Sequence, residues 1–130
     1  MSAEESVSVL VVDDSKSMRA VVASIVTQLG FSVAGEASDG AEAVTLALRD
    51  KPHIVMLDIN MPVKTGIEAL REIKAGHPAA VVIMMTSVAD MESVEKCIEA
   101  GAAGYILKNA THDEIGQAIK DAWETGKAWN

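Results

Sequence analysis

Five short apolar runs, separated by stretches of helical spacing, recur from end to end of this chain, and that alternation constrains the fold more than any other feature. The runs are Val7–Val12, a shorter one near Ser32–Glu36, then Ile54–Leu57, Val81–Met85 and Gly104–Leu107. Most carry little polar alternation, as strands covered on both faces do. Between them, apolar residues return every three or four positions: Met18, Val21, Val22, Ile25 and Leu29 in the first stretch, Val44, Ala47 and Leu48 in the second, Ile67, Leu70 and Ile73 in the third. A fourth helix is expected from Asp90 to Ala100, and a fifth with Ile115, Ala118, Ile119, Ala122 and Trp123 turned inward. The punctuation agrees: Gly30, Gly76 and Gly101 close helices, the second helix runs from about Asp39-Gly40 to just before Pro52, and Thr111 through Glu114 reads as a capping box opening the fifth. Such alternation builds an α/β fold, a doubly wound (βα)5 unit with a five-stranded parallel sheet and right-handed crossovers. General experience with doubly wound sheets, rather than these residues, favours the strand order 2-1-3-4-5. One domain is expected over 6–126, with short tails at 1–5 and 127–130.

Four of the five expected strands run into a polar side chain at the carboxyl end, where parallel sheets bind ligands. The first meets Asp13-Asp14, the third Asp58, the fourth Thr86 and the fifth Lys108. Three carboxylates, a hydroxyl and an ammonium meeting there make a site for a divalent cation and a phosphoryl group. Magnesium takes hard oxygen ligands, only a few of them from protein. Asp14 and Asp58 suit direct ligation, with Asp13 acting through water and the backbone carbonyl of Asn60 available to complete the set. Asp58 is also a candidate nucleophile, since a carboxylate attacks phosphorus once its charge and that of the donor are neutralised. The cation and Lys108 supply that neutralisation, and Thr86 offers a hydroxyl to a phosphoryl oxygen.

Composition narrows the partners. A net charge of −8 argues against direct nucleic-acid binding, which needs clustered Lys and Arg. The single cysteine, Cys97, reads as an inert, buried or half-buried thiol compatible with a reducing compartment. The start of the chain is acidic rather than apolar, and no apolar run approaches the roughly 20 residues needed to span a bilayer. A soluble, cytoplasmic protein without membrane partners is expected. The seven methionines are expected to fill the core of a chain with only 3% aromatic residues. His53, His77 and His112 fall near element ends and are expected to be solvated.

The signatures Val11-Val12-Asp13-Asp14-Ser15, Leu57-Asp58-Ile59-Asn60-Met61-Pro62 with Gly66 four residues on, Met85-Thr86-Ser87 and Gly104-Tyr105-Ile106-Leu107-Lys108 closely resemble the receiver domain of two-component response regulators. The resemblance spans nearly the whole chain and is to the flavodoxin-like, chemotaxis-regulator type. It implies a phosphorylation-dependent signalling switch, with Asp58 as phosphoacceptor from a sensor histidine kinase or histidine phosphotransfer protein, Mg²⁺ bound with help from Asp13 and Asp14, and Lys108 paired with the phosphoryl group. It further implies Thr86 and Tyr105 as switch residues, the Tyr105 ring passing from exposed to buried as Thr86 moves. The face built by the fourth helix, fifth strand and fifth helix would then change toward a downstream effector protein or a phosphorylation-dependent dimer. On this reading the chain catalyses only its own phosphotransfer and autodephosphorylation. The alternative is a Mg²⁺-dependent phosphohydrolase with an Asp nucleophile. Hydrolases of the haloacid-dehalogenase type need a second Asp two residues on as general acid, and here Asn60 stands there. A flavin carrier would need a phosphate-cradling loop where Asp13-Asp14 repel phosphate. Two positions depart from the family pattern. Asn109 replaces a proline, so a trans Lys108–Asn109 bond is expected, and Val88 leaves an apolar group where relatives often carry a polar one.

Overall fold

The alternation resolves into five strands and five helices in strict succession in the computed structural model, which describes residues 7–87 and 90–129. They are β1 (Ser8–Val12), α1 (Lys16–Gln28), β2 (Ser32–Ala37), α2 (Gly40–Asp50), β3 (Ile54–Asp58), α3 (Gly66–Gly76), β4 (Val81–Thr86), α4 (Met91–Glu99), β5 (Gly104–Leu107) and α5 (His112–Trp129). The sheet order is β2-β1-β3-β4-β5, as expected. Every neighbouring pair is parallel.

The two-residue period of a strand divides the apolar side chains between two cores. Leu10, Val12, Val55, Leu57, Val82 and Met84 face one layer, closed by Ala43 and Ala47 of α2, Ala69, Leu70 and Ile73 of α3, and Cys97 of α4. Val9, Val11, Ile54, Met56, Val81, Ile83 and Met85 face the other, closed by Val22, Ile25 and Val26 of α1 and Ile115, Ile119 and Ala122 of α5. Central strands β3 and β4 are buried throughout, which explains their unbroken apolar runs. Each fully buried Leu, Ile or Val contributes roughly 1.5–3 kcal/mol, so the sheet's position is set by these layers.

Helix starts are fixed by side-chain caps. Ser15, Asp39, Thr65 and Asp90 each accept from the backbone N–H three residues on. The expected box of α5 is present, with Thr111 N–H donating to Glu114 at 2.8 Å and Glu114 N–H donating to Thr111 Oγ1 at 3.1 Å. A second box, Thr65 with Glu68, opens α3.

Several details differ from the sequence expectations. β3 and β4 each run one residue further, ending on Asp58 and Thr86, because both residues pair in the sheet. α5 continues to Trp129, so residues 127–129 extend the helix beyond the expected boundary at 126. Met91 is 72% exposed at the start of α4 and does not fill the core as expected of the methionines. His77 is half-buried, its Nε2 2.8 Å from the Pro52 carbonyl. His53 is exposed yet anchored: its Nδ1 accepts from Ser8 N–H at 3.0 Å and its ring meets Trp123 edge-on at 5.7 Å. No cis peptide occurs among the described residues, so Lys108–Asn109 is trans as expected. Cys97 is buried, and that burial pushes its thiol up, away from reactivity. Val88 and the segment 1–5 lie outside the described residues. Among the described residues, no helix is long and apolar enough to cross a membrane.

Candidate functional site

The carboxyl ends of β1, β3, β4 and β5 lie side by side, and the parallel register brings their polar residues together. Asp13, Asp14 and Asp58 each direct a carboxylate oxygen into one cluster, all within 4.8 Å of one another. Lys108 closes it. Its Nζ lies 2.7 Å from Asp13 Oδ2 and 3.1 Å from Asp58 Oδ2, with side chains only 18%, 3% and 4% exposed respectively. Asp14 sits at the solvent edge of the cluster.

Backbone groups hold the carboxylates in place. Asp13 Oδ1 accepts from Ser15 N–H at 2.9 Å, and the Asp13 N–H donates to Ala37 O at 3.1 Å, tying the end of β1 to β2. Asp58 Oδ1 lies 3.4 Å from the Asn60 N–H, a weak bond. The Asn60 side chain is exposed. Lys108 is steered by its own N–H, which donates to Thr86 O at 2.8 Å and fixes where β5 ends.

The electrostatics follow from packing three acids against one cation. Burial pushes the Asp58 carboxyl up from its usual range; Lys108 pulls it back and the Asp13 charge pushes it further up. Burial alone would lower Lys108, but its hydrogen bonds to Asp13 and Asp58 outweigh that and raise it. Hydrogen-bonding to both carboxylates thus fixes the ammonium as charged while Asp58 resists its own charge. Hard oxygen donors without nitrogen or sulfur, carrying more negative charge than one ammonium cancels, fit Mg²⁺.

Thr86 is buried at the last position of β4. Tyr105 stands opposite Met84 on β5, and its hydroxyl is hydrogen-bonded to the Thr86 side chain. The ring is already half-buried, which corrects the expectation of an exposed starting position. Burial raises the Tyr105 hydroxyl's pKa, partly offset by that bond.

The loop from β3 to α3 carries the site's tightest backbone. A Cβ on Gly66 would lie 2.2 Å from the Asp58 carbonyl oxygen, so only glycine lets α3 begin this close to the end of β3. Gly66 N–H donates to Ile59 O at 2.7 Å in the same approach. Val63, 82% exposed, has φ +70°, and Lys64 N–H bonds back to Pro62 O at 2.7 Å, making a γ-turn that a β-branched residue rarely adopts.

The sequence reading missed Arg19. Its Nη1 donates to the Asp13 backbone carbonyl at 2.6 Å and its Nε to Glu36 at 3.0 Å. One signal was available: a cation near the start of α1 opposes the helix dipole, so something other than the helix employs it.

Comparison with known proteins gives matches over most of the chain. The family model described as "Response regulator receiver domain" matches residues 9–120. The chain is 42% identical over 113 residues to the chemotaxis protein CheY of Halobacterium salinarum, covering 87% of this chain and 93% of that one. It is 41% identical over 111 residues to Protein CcdB of Bacillus subtilis, covering 85% and 92%. Among solved structures, a chain of the CheX–CheY–BeF3–Mg²⁺ complex from Borrelia burgdorferi superposes with TM-score 0.87 at 32% identity, covering 90% of this chain and 89% of that one.

Proposed function

The chain belongs to the response regulator receiver domain family, which serves phosphorylation-dependent signalling, and from that premise we propose that Asp58 is its phosphoacceptor. The donor is the phosphohistidine of a sensor histidine kinase or histidine phosphotransfer protein. An Asp58 carboxylate oxygen attacks phosphorus; the new O–P bond forms as the N–P bond breaks, and the departing electron pair returns to the imidazole. The supporting observation is the bridging of Asp13 and Asp58 by Lys108 inside the three-carboxylate cluster.

Each residue has a role. Asp14 and Asp58 would hold Mg²⁺ directly and Asp13 through water, with the Asn60 carbonyl available to complete the protein ligands. Bound magnesium supplies charge neutralisation for the incoming phosphoryl oxygens. Lys108, released from Asp58, pairs with a phosphoryl oxygen as a point charge. The similar complex from Borrelia burgdorferi contains BeF3 and Mg²⁺, and hard oxygen donors suited to such a cation are assembled in this chain.

Phosphorylation adds about −1.5 to −2 charge and strong acceptor oxygens. The Thr86 hydroxyl is drawn to one of them, its bond to Tyr105 breaks, and the ring settles deeper between β4 and β5. The altered α4–β5–α5 face, which carries exposed Met91, Ile98 and Leu107, then binds a downstream effector protein or a second phosphorylated copy. The chain turns over no external substrate; it performs its own phosphotransfer and autodephosphorylation in the cytoplasm, without direct nucleic-acid or membrane contact. The receiver unit is assigned to residues 6–126, with α5 running on from it to Trp129.

Incubation with Mg²⁺ and acetyl phosphate tests this by intact mass. One added phosphoryl group, absent in Asp58→Asn and absent with EDTA, is expected. Sustained release of phosphate from phosphate esters without a labile adduct would overturn it in favour of a phosphohydrolase.

A further inference from the structure

We propose that Arg19 is a positioning residue for the acidic pocket, aiming Asp14 by gripping the peptide unit that joins Asp13 to Asp14. The proposal rests on the magnesium reading of that pocket. Asp14 sits at the solvent edge, so its direction depends on its backbone. The peptide unit before it is planar, so fixing the Asp13 carbonyl oxygen fixes the Asp14 N–H and Cα with it. Arg19 Nη1 holds that oxygen at 2.6 Å.

The grip has a second anchor. Arg19 Nε donates to Glu36 at 3.0 Å, near the carboxyl end of β2. An ion pair with Glu36 half exposed adds little stability. Its consequence is geometric: a planar guanidinium held at two nitrogens cannot swing, so the carbonyl it grips cannot either. The Arg19 side chain is 17% exposed, which excludes most of the water that would compete for that carbonyl. Lysine would keep the charge but, with all its donors on one nitrogen at the end of a flexible stem, cannot span the carbonyl and Glu36 in one plane. Because Arg19 takes a main-chain oxygen, it leaves the pocket's carboxylates to the cation and to Lys108.

Arg19→Lys and Arg19→Ala in the full chain separate positioning from charge. Backbone ¹⁵N NMR is recorded first with EDTA, then through a MgCl2 titration, alongside thermal denaturation. Wild type is expected to show a rigid Asp14 amide, with an order parameter of about 0.85, falling toward roughly 0.6 in Arg19→Lys before any metal is added. Magnesium affinity is expected to weaken about tenfold in both variants, as when groups supporting metal ligands are removed. Wild-type Asp14 dynamics and affinity in Arg19→Lys would overturn the proposal, since charge alone would then suffice. If Arg19→Ala fails to fold, Arg19→Lys carries the decision alone. A wild type whose Asp14 and Asp58 amides ignore magnesium sinks the pocket reading itself, and the proposal with it.

Discussion

Replacing Asp58 with Asn should make the metal-free protein more stable. Asp13, Asp14 and Asp58 bring oxygens within 4.8 Å of one another, and at an effective dielectric near 20 each such pair repels by roughly 3.5 kcal/mol. Asp58 takes part in two of these repulsions, together about 7 kcal/mol. Against them stands its attraction to Lys108 at 3.1 Å, roughly 5 kcal/mol on the same scale. Losing the charge therefore gains about 2 kcal/mol before screening at exposed Asp14, and burial of the Asp58 carboxylate works in the same direction. Allowing for that screening, a gain of about 1–2 kcal/mol is expected, or roughly 3–8 °C in Tm. The assay is thermal denaturation of both proteins in EDTA and again in saturating MgCl2. Magnesium should raise the wild-type Tm more than that of the variant, narrowing the gap, because the variant offers the cation a neutral amide oxygen in place of a charged carboxylate. A variant less stable than wild type in EDTA would refute the reasoning, since the Lys108 contact would then outweigh the repulsion.

Lys108→Ala leaves Asp13 and Asp58 buried without their cation, and chemical denaturation in EDTA should show a loss of about 3 kcal/mol that MgCl2 partly restores. Gly66→Ala places a Cβ 2.2 Å from the Asp58 carbonyl, so α3 must withdraw. Stability should fall by about 1–3 kcal/mol and phosphorylation by acetyl phosphate slow by about 100-fold, while a wild-type rate would show that the approach of α3 does not position Asp58. Hydrogen bonds from the Thr65 backbone and side chain hold the Glu68 carboxyl below its usual range. The capping box therefore stabilises the fold above the ordinary Glu range and loses that contribution as pH falls through the folded value. Glu68→Gln should thus be less stable than wild type at neutral pH, with the two converging on acidification; a gap unchanged down to acid would contradict the box's charge dependence.

Much of the site was legible because strand ends are legible. An apolar run that stops on a charged residue says where a parallel sheet presents its ligands, so Asp13, Asp14, Asp58, Thr86 and Lys108 could all be placed from the chain alone. What escaped the sequence has physical reasons. Arg19 touches a backbone carbonyl, and a carbonyl has no residue identity to pair with. Gly66 reads as a loop breaker in sequence, whereas its reason is the closeness of α3 to Asp58. The Thr65–Glu68 box was visible in principle, since the spacing matches that of Thr111–Glu114, but the surrounding loop residues masked it. Met91 shows that an unbranched apolar side chain carries no direction of its own; it is exposed on the same helix that buries Cys97. The Thr86–Tyr105 bond depends on register: Met84 faces Tyr105 and Thr86 faces Leu107, so Thr86 and Tyr105 are diagonal neighbours on one face of the sheet.

The central claim is that these strand ends converge on one phosphoryl acceptor, and its chemistry can be read directly. Borohydride reduces an aspartyl phosphate to homoserine, so reduction of the acetyl-phosphate-treated protein followed by peptide sequencing locates the modified residue. Homoserine at position 58 alone, formed only when Mg²⁺ was present, is the expected result. Homoserine at 13 or 14, or an unmodified Asp58 in protein that carries a phosphoryl group, would contradict the account.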